Sequence, residues 1–278
     1  TFNSWVVIMK KILGLTGSPR RLGNCEIMVK EISRQIPEPH ELQLIRLPEL
    51  DIRPCRGCYR CLFKEEKCVL NDDFDMVLKS MIEADALILS VPAYFLGANA
   101  SLKRLLDRGL SFYAHIDSLW GKPAVAAGIA GIKGKEGYTL LCIDSFLKLV
   151  LADNKYSRII YGALPGEIFF SDENKKIASD MAASLFGARL KKTGPRCPLC
   201  GGDTFRFLGD NMVRCMLCSN KGVINTVNKK SVFEIDRGVH ELFLTQKDVI
   251  EHKKWLQGMK TRFIKEKKRL KEISLAYR

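Results

Sequence analysis

Between residues 11 and 190, short β-rich apolar runs alternate five times with segments of helical spacing. Lys11–Thr16, Glu41–Leu47, Ala86–Val91, Pro123–Ala130 and Ser157–Leu164 read as strands. Asn24–Gln35, Asp72–Ala84, Ala100–Tyr113, Tyr138–Ala152 and Ser171–Leu190 carry apolar residues three and four apart and read as helices. Ser171, followed by Asp172 and Glu173, is a suitable N-cap for the last helix. The near-continuous apolar run Ala86-Leu-Ile-Leu-Ser-Val-Pro92 suits a parallel strand buried on both faces. Five such units predict an α/β fold, a doubly wound five-stranded parallel sheet with ligand sites beyond the carboxyl ends of its strands.

The pattern stops at Lys191-Lys192-Thr193-Gly194-Pro195, a polar break that reads as a domain boundary. The expected division is a sheet domain over residues 9–192, a small cysteine module over 193–240 and a terminal helix over 245–278. Apolar residues make up 46% of the 278, and no apolar run reaches the length needed to span a bilayer. Trp5-Val-Val-Ile-Met9 is too short for the core of a signal peptide. Met9, followed by two lysines and a strand, reads as the natural start. The expected compartment is therefore cytoplasmic, where ten cysteines imply metal binding rather than disulfides.

Eight of the ten fall into two groups. Cys55-Arg-Gly-Cys58-Tyr-Arg-Cys61 places three thiols two residues apart, with Cys68 at the far end of the loop over residues 55–68. Three close cysteines in succession favour a [4Fe–4S] cluster over zinc, which needs only one such pair from each side. A zinc site, a disulfide knot and a loop without metal are the alternatives. Cys197-Pro-Leu-Cys200 and Cys215-Met-Leu-Cys218 are two knuckles separated by fourteen residues. The stretches Thr204–Leu208 and Asn211–Arg214 between them read as a tight hairpin, the arrangement of a zinc ribbon. Gly201 fits the turn after the first knuckle. A rubredoxin-type iron would use the same four-thiolate geometry, but the second knuckle lacks the proline and glycine common there.

Gly17-Ser-Pro-Arg-Arg-Leu-Gly-Asn-Cys25 follows the first strand and opens a helix, where free backbone amides and the positive helix end favour a phosphate. Its spacing matches neither the P-loop nor the dinucleotide glycine pattern.

Gly17 to Asn24 resembles the FMN-phosphate loop of the flavodoxin-like NAD(P)H-dependent FMN reductase superfamily. Pro92-Ala-Tyr-Phe-Leu-Gly97, followed by Lys103 and Asp107-Arg108, resembles the loop that borders the isoalloxazine in that superfamily. The cysteine loop running into Asp72-Asp73-Phe74 is similar to that of its iron–sulfur flavoprotein branch. The resemblance implies FMN on a flavodoxin-like sheet and a [4Fe–4S] cluster on Cys55, Cys58, Cys61 and Cys68. It implies a homodimer or higher homo-oligomer with flavin and cluster close together at subunit contacts. By position, Ser18, Arg20, Asn24 and Cys25 would hold the phosphate. Pro92, Ala93, Tyr94, Phe95 and Gly97, with Gly131 after the fourth strand, would border the ring. Two residues depart from the family pattern: Cys25 stands where a threonine or serine is common, and Asn99 where a smaller or less polar residue is.

The implied activity is that of an electron-transfer oxidoreductase using FMN and a cluster, with NAD(P)H or a ferredoxin as donor, and the Cys197, Cys200, Cys215 and Cys218 site holding a structural zinc. An NAD(P)H-dependent FMN or quinone reductase without a cluster is the alternative reading. The net charge of +14 raises a third, nucleic-acid binding, but half of that excess lies from Lys247 onward, where eleven Lys/Arg face four Asp/Glu, and no aromatic stacking platform accompanies it. In that helix Val249, Leu256, Met259, Phe263, Leu270, Ile273 and Tyr277 form an a/d seam, expected to pack on the protein's own sheet domain or a second subunit as two heptads of core. His40, His115, His240 and His252 show no metal pattern and receive no role.

Overall fold

The computed structural model describes residues 9–63, 67–190 and 193–278. Along the chain run β1 (Lys10–Thr16), α1 (Asn24–Arg34), β2 (His40–Arg46), α2 (Phe74–Glu83), β3 (Ala86–Tyr94), β4 (Gly97–Ala98) and α3 (Ala100–Leu106). They are followed by α4 (Ile116–Leu119), β5 (Pro123–Ala130), α5 (Thr139–Leu149), β6 (Asp153–Tyr161) and α6 (Asp172–Phe186). Five strands pair in parallel in the order β2-β1-β3-β5-β6, and β4 turns back against β3. The order reverses between β1 and β3, so a crevice opens past their carboxyl ends.

Burial explains the strand sequences. β1, β3 and β5 are covered on both faces and read as unbroken apolar runs. One face packs with α1 and α6, through Met28, Val29, Ile32, Met181 and Leu185. The other packs with α2, α3 and α5, through Phe74, Val77, Leu105, Phe146 and Leu147. Each such side chain contributes on the order of 1.5–3 kcal/mol by leaving water. The edge strand β6 is only partly covered and begins at Asp153, four residues before the sequence expectation, because its polar start lies at the solvent edge. It ends at Tyr161, since residues 162–164 bend away from the sheet toward a 3₁₀ turn at Glu167–Phe170. The expected long third helix likewise stops at Leu106 and continues as a 3₁₀ segment, Gly109–His115. Ser171 stands at the N-cap of α6, but its hydroxyl makes no capping bond.

The cysteine module is a four-stranded antiparallel sheet, ordered β10-β9-β8-β7, of β7 (Phe205–Gly209), β8 (Met212–Cys215), β9 (Lys221–Val227) and β10 (Lys230–Ile235). The expected hairpin is β7–β8, and two further strands extend it. Cys197, Val213, Cys215 and Cys218 join the apolar cluster that covers the α2 and α5 face, so the module is seated on the sheet domain. The terminal helix α7 (Gln246–Leu275) opens with a reciprocal Thr245–Asp248 capping box. His252 bonds His240 at 2.7 Å and meets the Tyr113 ring edge-on, fixing the helix start. The expected two heptads of internal core are not there. Val249 and Leu256 are buried, whereas Phe263, Leu270, Ile273 and Tyr277 are exposed, because the helix runs past the body of the protein.

Candidate functional site

A cavity of 230 Å³ lies beyond the carboxyl ends of β1, β3, β5 and β6. Ser18, Arg20, Asn24, Cys25, Pro92, Ala93, Tyr94 and Gly131 line it, together with Gly162, Ala163 and Pro165. Its floor is the start of α1. Gly23 holds the N-cap position with extended φ and ψ and offers no side-chain cap, so the first amides of the helix keep their bonding capacity for an anion. Ser18 is buried and accepts from the Arg20 amide at 3.2 Å, tightening the loop. The Asn24 amide group spans the cavity, donating to the Gly162 carbonyl at 3.0 Å and accepting from the Gly166 amide at 2.8 Å. That side chain therefore holds the 162–166 loop in place.

Cys25 is buried, and burial pushes its thiol up to about 12, with Ser90 beside it partly opposing. It is a neutral thiol at pH 7, without thiolate reactivity. Glu26 is 1% exposed in the first turn of α1. Burial alone would raise its carboxyl. Hydrogen bonds from Lys30, Arg46 and the Leu22 amide, with the Arg46 charge, hold it below the ordinary range instead. Asn99 lies outside the cavity wall. Its Nδ2 donates to the Gly17 carbonyl and to Ser101 Oγ, tying the first loop to the third. A Cβ at Gly17 would collide with Asn99 Oδ1, so the close approach requires glycine. Phe95 stands at the tip of the β3–β4 turn with φ of 48° and its ring wholly in solvent, and Gly97 packs against the Tyr138 ring. Neither reaches the cavity wall. The contribution of Gly162 and Ala163 was hidden inside the over-long strand expected at Ser157–Leu164, and that of Pro165 lay just past it; the rule that ligands sit past strand carboxyl ends was the available signal.

The cysteine loop leaves the same edge of the sheet, after β2. Cys55 and Cys58 are exposed, Cys61 is buried and Cys68 is half-buried. All four ring a small cavity that Arg108 and Ser111 close from inside. Asp72, whose side chain is wholly buried, anchors the loop: its carboxylate accepts from Arg108 Nη1 at 2.7 Å and from the Arg53 amide at 3.0 Å. Burial opposes its ionisation, but bonds from Arg108, Arg53 and Phe74 outweigh it and keep the carboxyl below its ordinary value. Helix α7 braces the loop from outside through Gln257 Nε2, which donates to the Leu62 carbonyl at 2.7 Å.

In the ribbon, the sulfurs of Cys197, Cys200, Cys215 and Cys218 all lie within 4.8 Å of one another, with Cys197 to Cys218 at 3.8 Å and Cys200 to Cys215 at 3.5 Å. A tetrahedral zinc with Zn–S of about 2.3 Å needs sulfurs roughly 3.8 Å apart. The donor set fits one such ion. Gly201 (φ 77°) and Ser219 (φ 63°) hold the left-handed turn after each knuckle.

Residues 10–143 match the family described as NADPH-dependent FMN reductase. An iron–sulfur flavoprotein of Methanocaldococcus jannaschii is 46% identical over 187 residues, covering 63% of this chain and 93% of that protein. One from Archaeoglobus fulgidus is 32% identical over 180 residues, covering 63% of this chain and 78% of its own. A solved structure described as a flavone reductase shares the fold over 96% of both chains, with a TM-score of 0.69 at 20% identity. With the cavity at the switch point of the sheet and the cysteine loop on the same edge, these relatives assign the chain: it belongs to the iron–sulfur flavoproteins, with residues 10–143 matching the FMN reductase family.

Proposed function

We propose that this flavin-dependent oxidoreductase carries electrons between a [4Fe–4S] cluster on Cys55, Cys58, Cys61 and Cys68 and an FMN in the switch-point cavity. The observation that carries the reading is the pairing, on one edge of the sheet, of a cavity floored by the uncapped start of α1 with a four-cysteine loop. The α1 amides, Ser18 and the Arg20 charge would hold the FMN phosphate. Pro92, Ala93, Tyr94 and Gly131 would border the ring. FMN supplies an exchange between one-electron and two-electron chemistry. The chain's own work is positioning, and it needs no acid–base dyad.

The fit to a cluster rests on donor chemistry. Four cysteines ring one cavity, and two buried polar atoms beside them, Arg108 Nε and Ser111 Oγ, have no hydrogen-bond partner among the described residues. Among the described residues, the single-ion grouping of thiols belongs to the ribbon. We assign zinc there, as a closed structural site. The division into residues 9–192, 193–240 and 245–278 follows the same functions: flavin and cluster, metal-folded module, and terminal helix.

A homodimer is part of this reading. Phe95, Ile132, Leu164 and Phe170 expose large apolar side chains beside the cavity, a rim that a second copy would cover. NAD(P)H or a ferredoxin would supply electrons, in a reducing cytoplasm. No helix among the described residues is long and apolar enough to cross a membrane. Arg20→Glu tests the flavin assignment: FMN binding should weaken while ribbon zinc stays. Retention of FMN at parental affinity would refute the phosphate site. Cys61→Ala tests the cluster assignment: iron and sulfide should be lost with flavin still bound, and unchanged iron content would refute it.

A further inference from the structure

Burying a hydrogen-bond donor without an acceptor costs roughly 1–3 kcal/mol, and native proteins seldom leave one so. Arg108 Nε and Ser111 Oγ are both buried without a well-formed hydrogen bond among the described residues, and both residues line the cavity ringed by the four cysteines. The Ser111 hydroxyl lies beside Cys61, and the Arg108 guanidinium lies beside Cys68.

The position of Arg108 is over-determined. It is 1% exposed. Nη1 donates to Asp72 Oδ2 at 2.7 Å and to the Arg53 carbonyl at 2.9 Å, and Nη2 donates to Asp72 Oδ1 at 3.3 Å. The guanidinium carbon sits 4.4 Å above the Phe74 ring. Asp72 thus engages one side of the cation while Cys68 meets it elsewhere. The ion pair is a buried dipole whose positive end is the one beside the loop sulfurs.

We infer that Arg108 and Ser111 are positioning residues that donate hydrogen bonds to the sulfurs of the cluster and raise its reduction potential, an inference that rests on the cluster reading above. A reduced cluster carries one more negative charge than an oxidised one, spread over its iron and sulfur. Donors and a buried cation aimed at those sulfurs stabilise the reduced state more than the oxidised state, so they favour taking up an electron. The relevant acceptors are the thiolates of Cys61 and Cys68, the two loop cysteines that are not exposed.

The test uses the full chain purified without oxygen, in parental form, as Ser111→Ala, and as Arg108→Gln combined with Asp72→Asn. The double change removes both charges of the buried pair, and Ser111→Ala deletes one hydroxyl without touching an ion pair. Iron and sulfide are measured first, and the cluster midpoint is then titrated by low-temperature EPR. The expected result is parental iron and sulfide with a more negative midpoint in both variants. In the double variant the reduction equilibrium should shift at least tenfold, which is 59 mV for one electron. Ser111→Thr, which restores the hydroxyl, should return the midpoint toward the parent. An unchanged midpoint in both variants at full cluster content overturns this inference and leaves the cluster reading standing. Parental protein without iron and sulfide overturns both.

Discussion

Asn99 and Glu26 show how single side chains shape the switch-point cavity without lining it. Asn99 ties the Gly17 carbonyl to the start of α3, so Asn99→Ala should loosen the phosphate loop. One lost buried hydrogen bond is worth about 1 kcal/mol, so FMN affinity should fall roughly fivefold to tenfold in a flavin fluorescence titration, with the fold intact. Glu26 acts through charge. Its folded-state pKa lies below the ordinary 4.5, so its contribution to stability is complete above pH 4.5 and is lost as pH falls through the lower folded value. Glu26→Gln should cost about 1.5–3 kcal/mol at neutral pH, and chemical unfolding across a pH series should show less acid sensitivity than the parent. Ser18, Arg20 and Cys25 were legible in the sequence because one short loop carries them all. Arg108, Ser111 and Asn99 were not legible as partners of those loops, since each acts across a long sequence separation that only the sheet closes.

At the level of elements, β1, β3 and β5 could be read directly because burial on both faces leaves an apolar run. β6 could be read only in part, because an edge strand tolerates a polar start. The strands β9 and β10 were missed, for β9 is only partly covered, β10 is mostly exposed, and both show little apolar contrast. α7 was legible as a helix but not in its packing: periodicity reports a seam, not what covers it. Phe263→Glu combined with Leu270→Glu should therefore leave the melting temperature within about 2 °C of the parent, since exposed changes are usually worth under about 0.5 kcal/mol each. A fall of many degrees would mean the seam is buried in the protein as it exists in solution. The ribbon behaves oppositely. Cys200→Ala should expose residues 195–235 to protease and release zinc, because the metal supplies most of the folding energy of so small a module. Parental protease resistance in that variant would remove the structural role.

For the molecule as a whole, the proposed function would put three chemical centres on one α/β frame: a flavin at the switch point of the sheet, a cluster on the loop after β2, and a redox-silent ion in the four-cysteine module seated on the α2 and α5 face. All-thiolate sites can take iron or zinc, so metal identity decides whether electrons have one protein-bound partner for the flavin or two. The direct measurement is anaerobic purification followed by FMN, iron, acid-labile sulfide and zinc analysis on the same sample, with the absorption spectrum. The account predicts one FMN, four iron, four sulfide and one zinc per chain, and broad visible absorption that bleaches on reduction. Protein holding two zinc ions per chain and no labile sulfide would contradict it, leaving a flavin reductase whose cysteine loop is structural.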